Sequence, residues 1–189
     1  EVTYSGLPDE AVKSSSHPFD KVSEETLPPA QKTLLEPPGP VMPIFERSLF
    51  VLNRLLTAGI FRLRARGLDN IPDHTQFIFT PNHVSYLDPF MIAGAFSFNR
   101  MRSTYWAGLT EAAFANVITR AVSRLAKTIA ISPEKGAVSG MVLAGAVIRR
   151  GYSLVWFPEG GRSPDGRLQY FKPGLGILLD YFNIPVVPV

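Results

Sequence analysis

The chain has 189 residues, of which 46% are hydrophobic and none is cysteine. This length suits one domain with a sizeable core, and the lack of cysteine excludes disulfides, thiolate catalysis and cysteine-ligated zinc. The net charge of +3 is uneven, because residues 1–46 carry 3 basic and 8 acidic side chains and residues 47–189 carry 16 and 8. The basic part favours anionic partners such as phosphate-bearing substrates or anionic lipid surfaces. We predict no nucleic-acid partner and no metal, since neither has a recognisable motif.

The first part of the chain differs in composition from the rest. Residues 1–43 hold 8 of the 17 prolines and most of the acidic excess. We interpret them as an acidic, proline-rich linker or disordered arm. The chain starts with Glu1 and stops at Val189 within an apolar run. We therefore expect a piece of a longer protein, with its domain incomplete at the C-terminus.

Residues 44–66 are predicted to form an amphipathic helix, ending near Arg62, and a basic segment. Two interpretations are open. The wide apolar face with arginines at its edges is typical of a helix in a membrane interface. A helix packed against its own domain would show a similar pattern. The predicted polar face comprises Glu46, Arg47, Asn53, Arg54 and Thr57.

From Gly67 to the end, short apolar runs alternate with helical segments. Such alternation predicts an α/β fold, with a largely parallel mixed sheet flanked by helices. We assign residues 67–189 to this domain. The predicted strands are 77–80, 103–106, 128–131, 153–157 and 185–189, and the predicted helices are 89–98, 111–125, 132–150 and 173–182. The buried-type aromatics Tyr105 and Trp106 are predicted to be core or rim residues.

A histidine and an aspartate follow the first predicted strand, five residues apart. The run Asn82-His83-Val84-Ser85-Tyr86-Leu87-Asp88-Pro89 can bring the Asp88 carboxylate to the His83 ring if the backbone turns back. A carboxylate that orients an imidazole makes it a general base near neutral pH. Asp88-Pro89 also predicts a helix start, with Asp88 at the N-cap. Asp88 could therefore serve the helix alone, so the pair does not by itself establish catalysis.

A second candidate loop, Phe157-Pro158-Glu159-Gly160-Gly161-Arg162-Ser163, also follows a predicted strand. Glycines allow a ligand to approach the backbone closely, and an arginine matches the geometry of a phosphate. We expect Glu159 either to pair with Arg162 or to orient a hydroxylated substrate. Because ligands of parallel sheets bind beyond the carboxyl ends of the strands, this loop and His83 are expected at one edge.

Together, the two motifs resemble those of the glycerolipid acyltransferases of the 1-acylglycerol-3-phosphate acyltransferase family. The resemblance covers roughly residues 67–189 and implies a glycerol-3-phosphate acyltransferase-like fold. It implies that His83 is the general base, that Asp88 is its partner, and that the loop binds the acceptor phosphate. The implied substrate-binding residues are Glu159, Gly160, Gly161, Arg162 and, from the run Phe171-Lys172-Pro173-Gly174, Lys172.

The sequence departs from the family in two places. Gly161 stands where the family usually has threonine. The arginine that normally ends the second block and contacts phosphate is missing from residues 127–133. Lys127 or Lys135 is a candidate replacement, although an ammonium does not reproduce a bidentate guanidinium. This departure favours an acceptor whose phosphate already carries a head group.

The resemblance implies acyl transfer from acyl-CoA or acyl carrier protein to a hydroxyl of lysophosphatidate or another lysophospholipid. No cofactor beyond the thioester, and no acyl-enzyme, is expected. A membrane-associated location at the cytoplasmic face and fusion to an acyl-activating domain are further expectations. Two alternatives stay open: a transacylase that uses a phospholipid as acyl donor, and a non-catalytic membrane-binding module.

Overall fold

The computed structural model describes residues 19, 27, 29–36, 42–72, 75–109, 115–131 and 137–189. The described helices are α1 (Pro29–Leu35), α2 (Met42–Gly59), α3 (Asp88–Ala95), α4 (Phe98–Arg102), α5 (Val117–Leu125), α6 (Ala137–Arg149) and α7 (Pro173–Phe182). The described strands are β1 (Ile78–Thr80), β2 (Thr104–Leu109), β3 (Thr128–Ile131), β4 (Ser153–Val155) and β5 (Val186–Pro188). A 3-10 turn, Leu68–Asn70, precedes β1.

The five strands form one sheet in the order β3-β2-β4-β1-β5. Every pairing between them is parallel, and Ile78 in β1 lies between Leu154 of β4 and Val186 of β5. Parallel neighbours require crossover connections, which the helices supply. The predicted α/β fold is therefore confirmed, with described strands that are wholly parallel rather than mixed.

Successive residues of the strands point to opposite faces of the sheet, and each face has its own core. Ile78 and Leu154 pack with α6 and α7 on one face, whereas Phe79 and Val155 pack near Phe96 on the other. Tyr105 and Trp106 are 3% and 6% exposed and divide between the two cores, which confirms the prediction for them. The sheet is thus covered on both sides, as its apolar strands require.

Most predicted elements are present, and one helix is divided. Residues 89–98 were expected to be one helix, but α3 ends at Ala95 and α4 begins at Phe98. The break occurs because Phe96 is extended and the Ser97 hydroxyl accepts a hydrogen bond from the Arg100 amide, which caps α4. The predicted starts of the helices at 111 and 132 lie outside the described residues, as does Lys135.

Part of the segment predicted as a linker or disordered arm contacts the core. It contains α1, and Phe19, Leu27 and Leu35 are 2%, 3% and 4% exposed. Arg149 and Arg150, at the end of α6, donate hydrogen bonds to the carbonyls of Phe19 and Leu35. The high proline content of this segment favoured the prediction of a linker, and the burial of these three apolar side chains was therefore missed. The division of the chain into a linker and a domain stays a prediction.

Helix α2 packs on the domain through the face predicted to be polar. Asn53 Nδ2 donates to the Phe90 carbonyl at 2.9 Å, and Arg54 Nη1 donates to the Phe96 carbonyl at 3.2 Å. The opposite, apolar face is open to solvent, with Ile44, Leu55 and Ile60 66–68% exposed. Within the described ranges, no helix combines the length and hydropathy that crossing a bilayer requires. Helix α2 therefore contacts its own domain and still presents an uncovered apolar face.

The contact between α2 and α3 depends on Gly94. A Cβ at this position would lie 2.5 Å from Thr57 Oγ1 and 3.1 Å from Thr57 Cβ. We expect Gly94→Ala to lower the free energy of unfolding by about 1–3 kcal/mol, because α2 must move away. Gly59→Ala is the matched control, since its Cβ would meet no atom within 4 Å. Urea denaturation measures both, and equal stabilities for the two variants would contradict the close contact.

Candidate active site

Two loops meet at the carboxyl edge of the sheet because β1 and β4 are neighbours. The first loop follows Thr80 and carries His83, and the second follows Val155 and carries Glu159 and Arg162. Residues far apart in the sequence are thereby placed side by side. The structure thus brings together the histidine motif and the glycine-rich motif, as their positions after parallel strands predict.

The Asp88 carboxylate organises the first loop. Its Oδ2 atom accepts hydrogen bonds from His83 Nδ1 at 2.9 Å and from the amides of Val84 and Ser85, both at 2.8 Å. The predicted helix cap is wrong: α3 begins at Asp88 itself, and the cap position, Leu87, makes no side-chain cap bond. The carboxylate is directed to the preceding loop instead, which is the arrangement that orients an imidazole.

The hydrogen bond to Asp88 determines the tautomer of His83. An ionised carboxylate only accepts hydrogen bonds, so in the neutral imidazole Nδ1 carries the proton and Nε2 keeps its lone pair. The Phe157 ring stacks on the imidazole, with centroids 4.2 Å apart and an interplanar angle of 29°. The side chains of His83 and Asp88 are 15% and 19% exposed, so both remain accessible from solvent. Nε2 of an oriented, accessible imidazole can accept a proton from a bound hydroxyl.

Glu159 joins the two loops through the backbone. Its Oε1 accepts from the His83 amide at 2.7 Å, its Oε2 accepts from the Gln169 amide at 3.0 Å, and the residue is 4% exposed. The His83 carbonyl in turn accepts from the Ser163 amide at 2.7 Å. Glu159 is thus placed as a buried acceptor of backbone amides. This differs from the expected pairing with Arg162 or with a substrate hydroxyl.

Two exposed cations flank the glycine turn of the second loop. The Arg162 guanidinium lies 4.0 Å from the centroid of the Tyr86 ring, which belongs to the first loop. Gly160 has a φ of +70°, and a Cβ there would come within 2.9 Å of Lys172 Cγ. Only glycine satisfies both conditions, so Lys172 can pack against the turn. Gly161 has open space at its Cβ position, so packing does not explain the missing threonine.

The prediction that Lys127 could replace the missing phosphate arginine is wrong. It immediately precedes β3, so it lies at the amino end of the sheet, opposite the edge that carries His83. Its ammonium donates to the Arg102 carbonyl and lies near the Tyr105 and Tyr152 rings. Burial lowers the pKa of Lys127.

Four contributors to the site were not predicted from the sequence: Tyr86, Phe157, Ser163 and Gln169. Tyr86 and Phe157 lie inside the two motifs, so their aromatic character next to a histidine and an arginine was an available signal. Ser163 and Gln169 act through backbone amides, which leave no trace in residue type. Within the described ranges, no three histidine, aspartate or glutamate side chains converge as a metal site would require.

A family model described as Acyltransferase matches residues 62–189. The chain is 28% identical over 131 residues to the 1-acyl-sn-glycerol-3-phosphate acyltransferase BAT2, chloroplastic, of Brassica napus, with 68% of this chain and 37% of that protein covered. It is 26% identical over 133 residues to the corresponding enzyme LPAT1 of Arabidopsis thaliana, with 68% and 35% covered. The chain therefore spans little more than a third of these relatives.

The fold is also similar to a solved structure. The crystal structure of the 1-acyl-sn-glycerophosphate acyltransferase PlsC from Thermotoga maritima aligns with a TM-score of 0.58 and 24% identity, covering 76% of this chain and 57% of that one. This similarity supports the α/β architecture. The family match covers the sheet and both motif loops, from just after α2 to the last residue. The chain belongs to the acyltransferase family.

Proposed function

We propose that this chain carries an O-acyltransferase domain that esterifies a hydroxyl of a glycerolipid. The acyl donor is a thioester, either acyl-CoA or acyl carrier protein, and the acceptor is lysophosphatidate or another lysophospholipid. The observation that carries the proposal is the His83 Nδ1–Asp88 Oδ2 bond of 2.9 Å at the same sheet edge as Arg162 and Lys172. The relatives that are named as acting on 1-acyl-sn-glycerol-3-phosphate support the same substrate class.

The proposed reaction uses His83 as base and then as acid. Nε2 accepts the proton of the acceptor hydroxyl while its oxygen attacks the thioester carbonyl carbon. The tetrahedral intermediate collapses, the C–S bond breaks, and Nε2 returns the proton to the departing thiolate. The products are an ester and a free thiol. Asp88 holds the Nδ1–H tautomer and stabilises the imidazolium that forms between the two proton transfers.

The acceptor phosphate would bind at the glycine turn. The Arg162 guanidinium carbon lies 4.0 Å from the centroid of the Tyr86 ring, a contact that does not use its N–H donors, so these can serve as a bidentate donor to the phosphate. Lys172 adds a second charge beside Gly160. Lys127 lies at the amino ends of the strands, so it does not contribute to this phosphate site. A site with one guanidinium and one ammonium could accept a phosphate monoester or a phosphodiester, so the head group must be found by assay.

The same domain is proposed to dock on a membrane surface, where its lipid substrates reside. The uncovered apolar face of α2 is followed by three exposed arginines, Arg62, Arg64 and Arg66. Tyr86, Leu87 and Phe90 add 44–64% exposed apolar surface next to His83. An apolar face edged by cations favours an interfacial position. Contacts of α2 with α3 would keep the candidate site close to that interface.

The direct test replaces the proposed base in the full-length chain. We expect His83→Ala to lower kcat for acyl transfer by roughly 10²–10⁴-fold, because the general base is lost. Transfer from radiolabelled acyl-CoA and acyl carrier protein, with release of free thiol, measures the effect. Ser85→Ala is the control for a covalent route, and it should retain transfer and form no acyl adduct. Unchanged transfer in His83→Ala would overturn the proposal, and acylation without thiol release would favour a transacylase.

The acceptor assignment is tested through Arg162. We expect Arg162→Gln to raise the KM for lysophosphatidate by about 10- to 100-fold, since a charge-assisted phosphate contact is lost. Arg162→Lys should restore little of this, because an ammonium lacks the bidentate edge. The KM for the thioester should stay unchanged. A panel that includes lysophosphatidylcholine identifies the preferred head group, and an unaltered acceptor KM would place the phosphate elsewhere.

A further inference from the structure

A surface groove runs between α2 and α4, outside the candidate active site. It has a volume of about 720 Å³. One wall is a stripe of α2 side chains, Ile44, Val51, Leu52 and Leu55, which recur at helical spacing. Eleven residues of helix separate the first from the last, a length of about 16 Å. These four side chains are 46–67% exposed, so the wall is apolar and uncovered.

Positive charge converges beside this apolar stripe. The guanidiniums of Arg47 and Arg102 lie 5.3 and 5.9 Å from the centroid of one ring, that of Phe98. Arg102 Nε is also 3.4 Å from the buried carboxylate of Glu46. Two cations and one carboxylate leave an excess of positive charge, which an anion bound beside the two arginines would neutralise.

The groove is separate from the site proposed to bind the acceptor. Arg102 ends α4 and leads into the amino end of β2, whereas His83 follows the carboxyl end of β1. In a parallel sheet these ends lie on opposite edges. A ligand of the groove would therefore not contact His83 or Arg162. Binding in the groove would affect the position of the domain on the membrane rather than the chemical step.

We propose that this groove binds one anionic phospholipid of the membrane. The phosphate sits against Arg47 and Arg102, and an acyl chain lies along the apolar stripe of α2. Both parts of the ligand are needed, because inorganic phosphate would leave the stripe uncovered and a neutral lipid would leave the charge unpaired. A second copy of this chain would bring like charges together. The proposal rests on membrane docking through α2 and does not depend on acyl transfer.

The test compares two arginines that carry the same charge. Arg47→Gln removes a cation of the groove, and Arg167→Gln removes a cation that is 87% exposed and lies in the loop after β4, outside the groove. Binding of the full-length chain to phosphatidylcholine vesicles, with and without phosphatidylglycerol, is measured by co-sedimentation. Wild-type protein should prefer the anionic vesicles. We expect Arg47→Gln to reduce this preference about five-fold, and Arg167→Gln to reduce it less than about two-fold.

A second measurement separates a discrete site from diffuse attraction. Short-chain phosphatidylglycerol, kept below its micelle concentration, should raise the Tm of wild-type protein but not that of Arg47→Gln, and inorganic phosphate should raise neither. Equal losses from the two arginine variants, or no Tm shift, would overturn the discrete site. Failure to bind any vesicle would overturn the proposed membrane docking on which the lipid site rests. His83→Ala should bind vesicles normally, and Arg47→Gln should transfer acyl groups normally in detergent, so the proposed reaction is tested independently.

Discussion

The backbone of His83 is held on both sides by the loop that follows β4. Its amide donates to the Glu159 carboxylate, its carbonyl accepts from the Ser163 amide, and its ring is oriented by Asp88 and stacked on Phe157. His83 and Glu159, which are 76 residues apart in the sequence, are thereby joined. Charge-assisted bonds to a buried carboxylate are among the stronger contacts in proteins. Proton transfer requires such fixed geometry, since small displacements of a base cost much of its effect.

This arrangement depends in turn on the order of strands. The loops meet because β4 lies directly beside β1, although β2 and β3 intervene in the sequence. Helix α3 then carries Asp88 at its first residue, and α2 packs across α3 through Asn53 and Thr57. The polar side of α2 is therefore used by the domain and its apolar side is left for another surface. Helix α2 thus connects the proposed membrane contact to α3, the helix that carries Asp88.

Much of this could be predicted from the sequence, and the failures have physical causes. Strand 128–131 and helix 173–182 were predicted to the residue, because apolar length and Pro173 define them. The break at Phe96–Ser97 was missed, since it depends on one serine cap. The pairing of His83 with Asp88 followed from spacing, but the cap assigned to Asp88 was wrong because the loop amides compete for the same oxygen. The roles of Glu159 and Lys127 depend on tertiary contacts and sheet edges, which spacing does not encode.

The most direct test of the central claim, that Glu159 fixes the His83 loop for catalysis, is kcat of Glu159→Gln. Glutamine keeps the shape of the side chain but replaces one acceptor oxygen with an amide NH2 group. This group would face a backbone N–H, so two donors would oppose each other and one hydrogen bond would be lost. We expect kcat to fall about 10- to 100-fold while the KM for the thioester changes little. Asp165→Asn is the matched control, since it removes a charge from the same loop without a bond to His83. Wild-type kcat in Glu159→Gln would contradict the account.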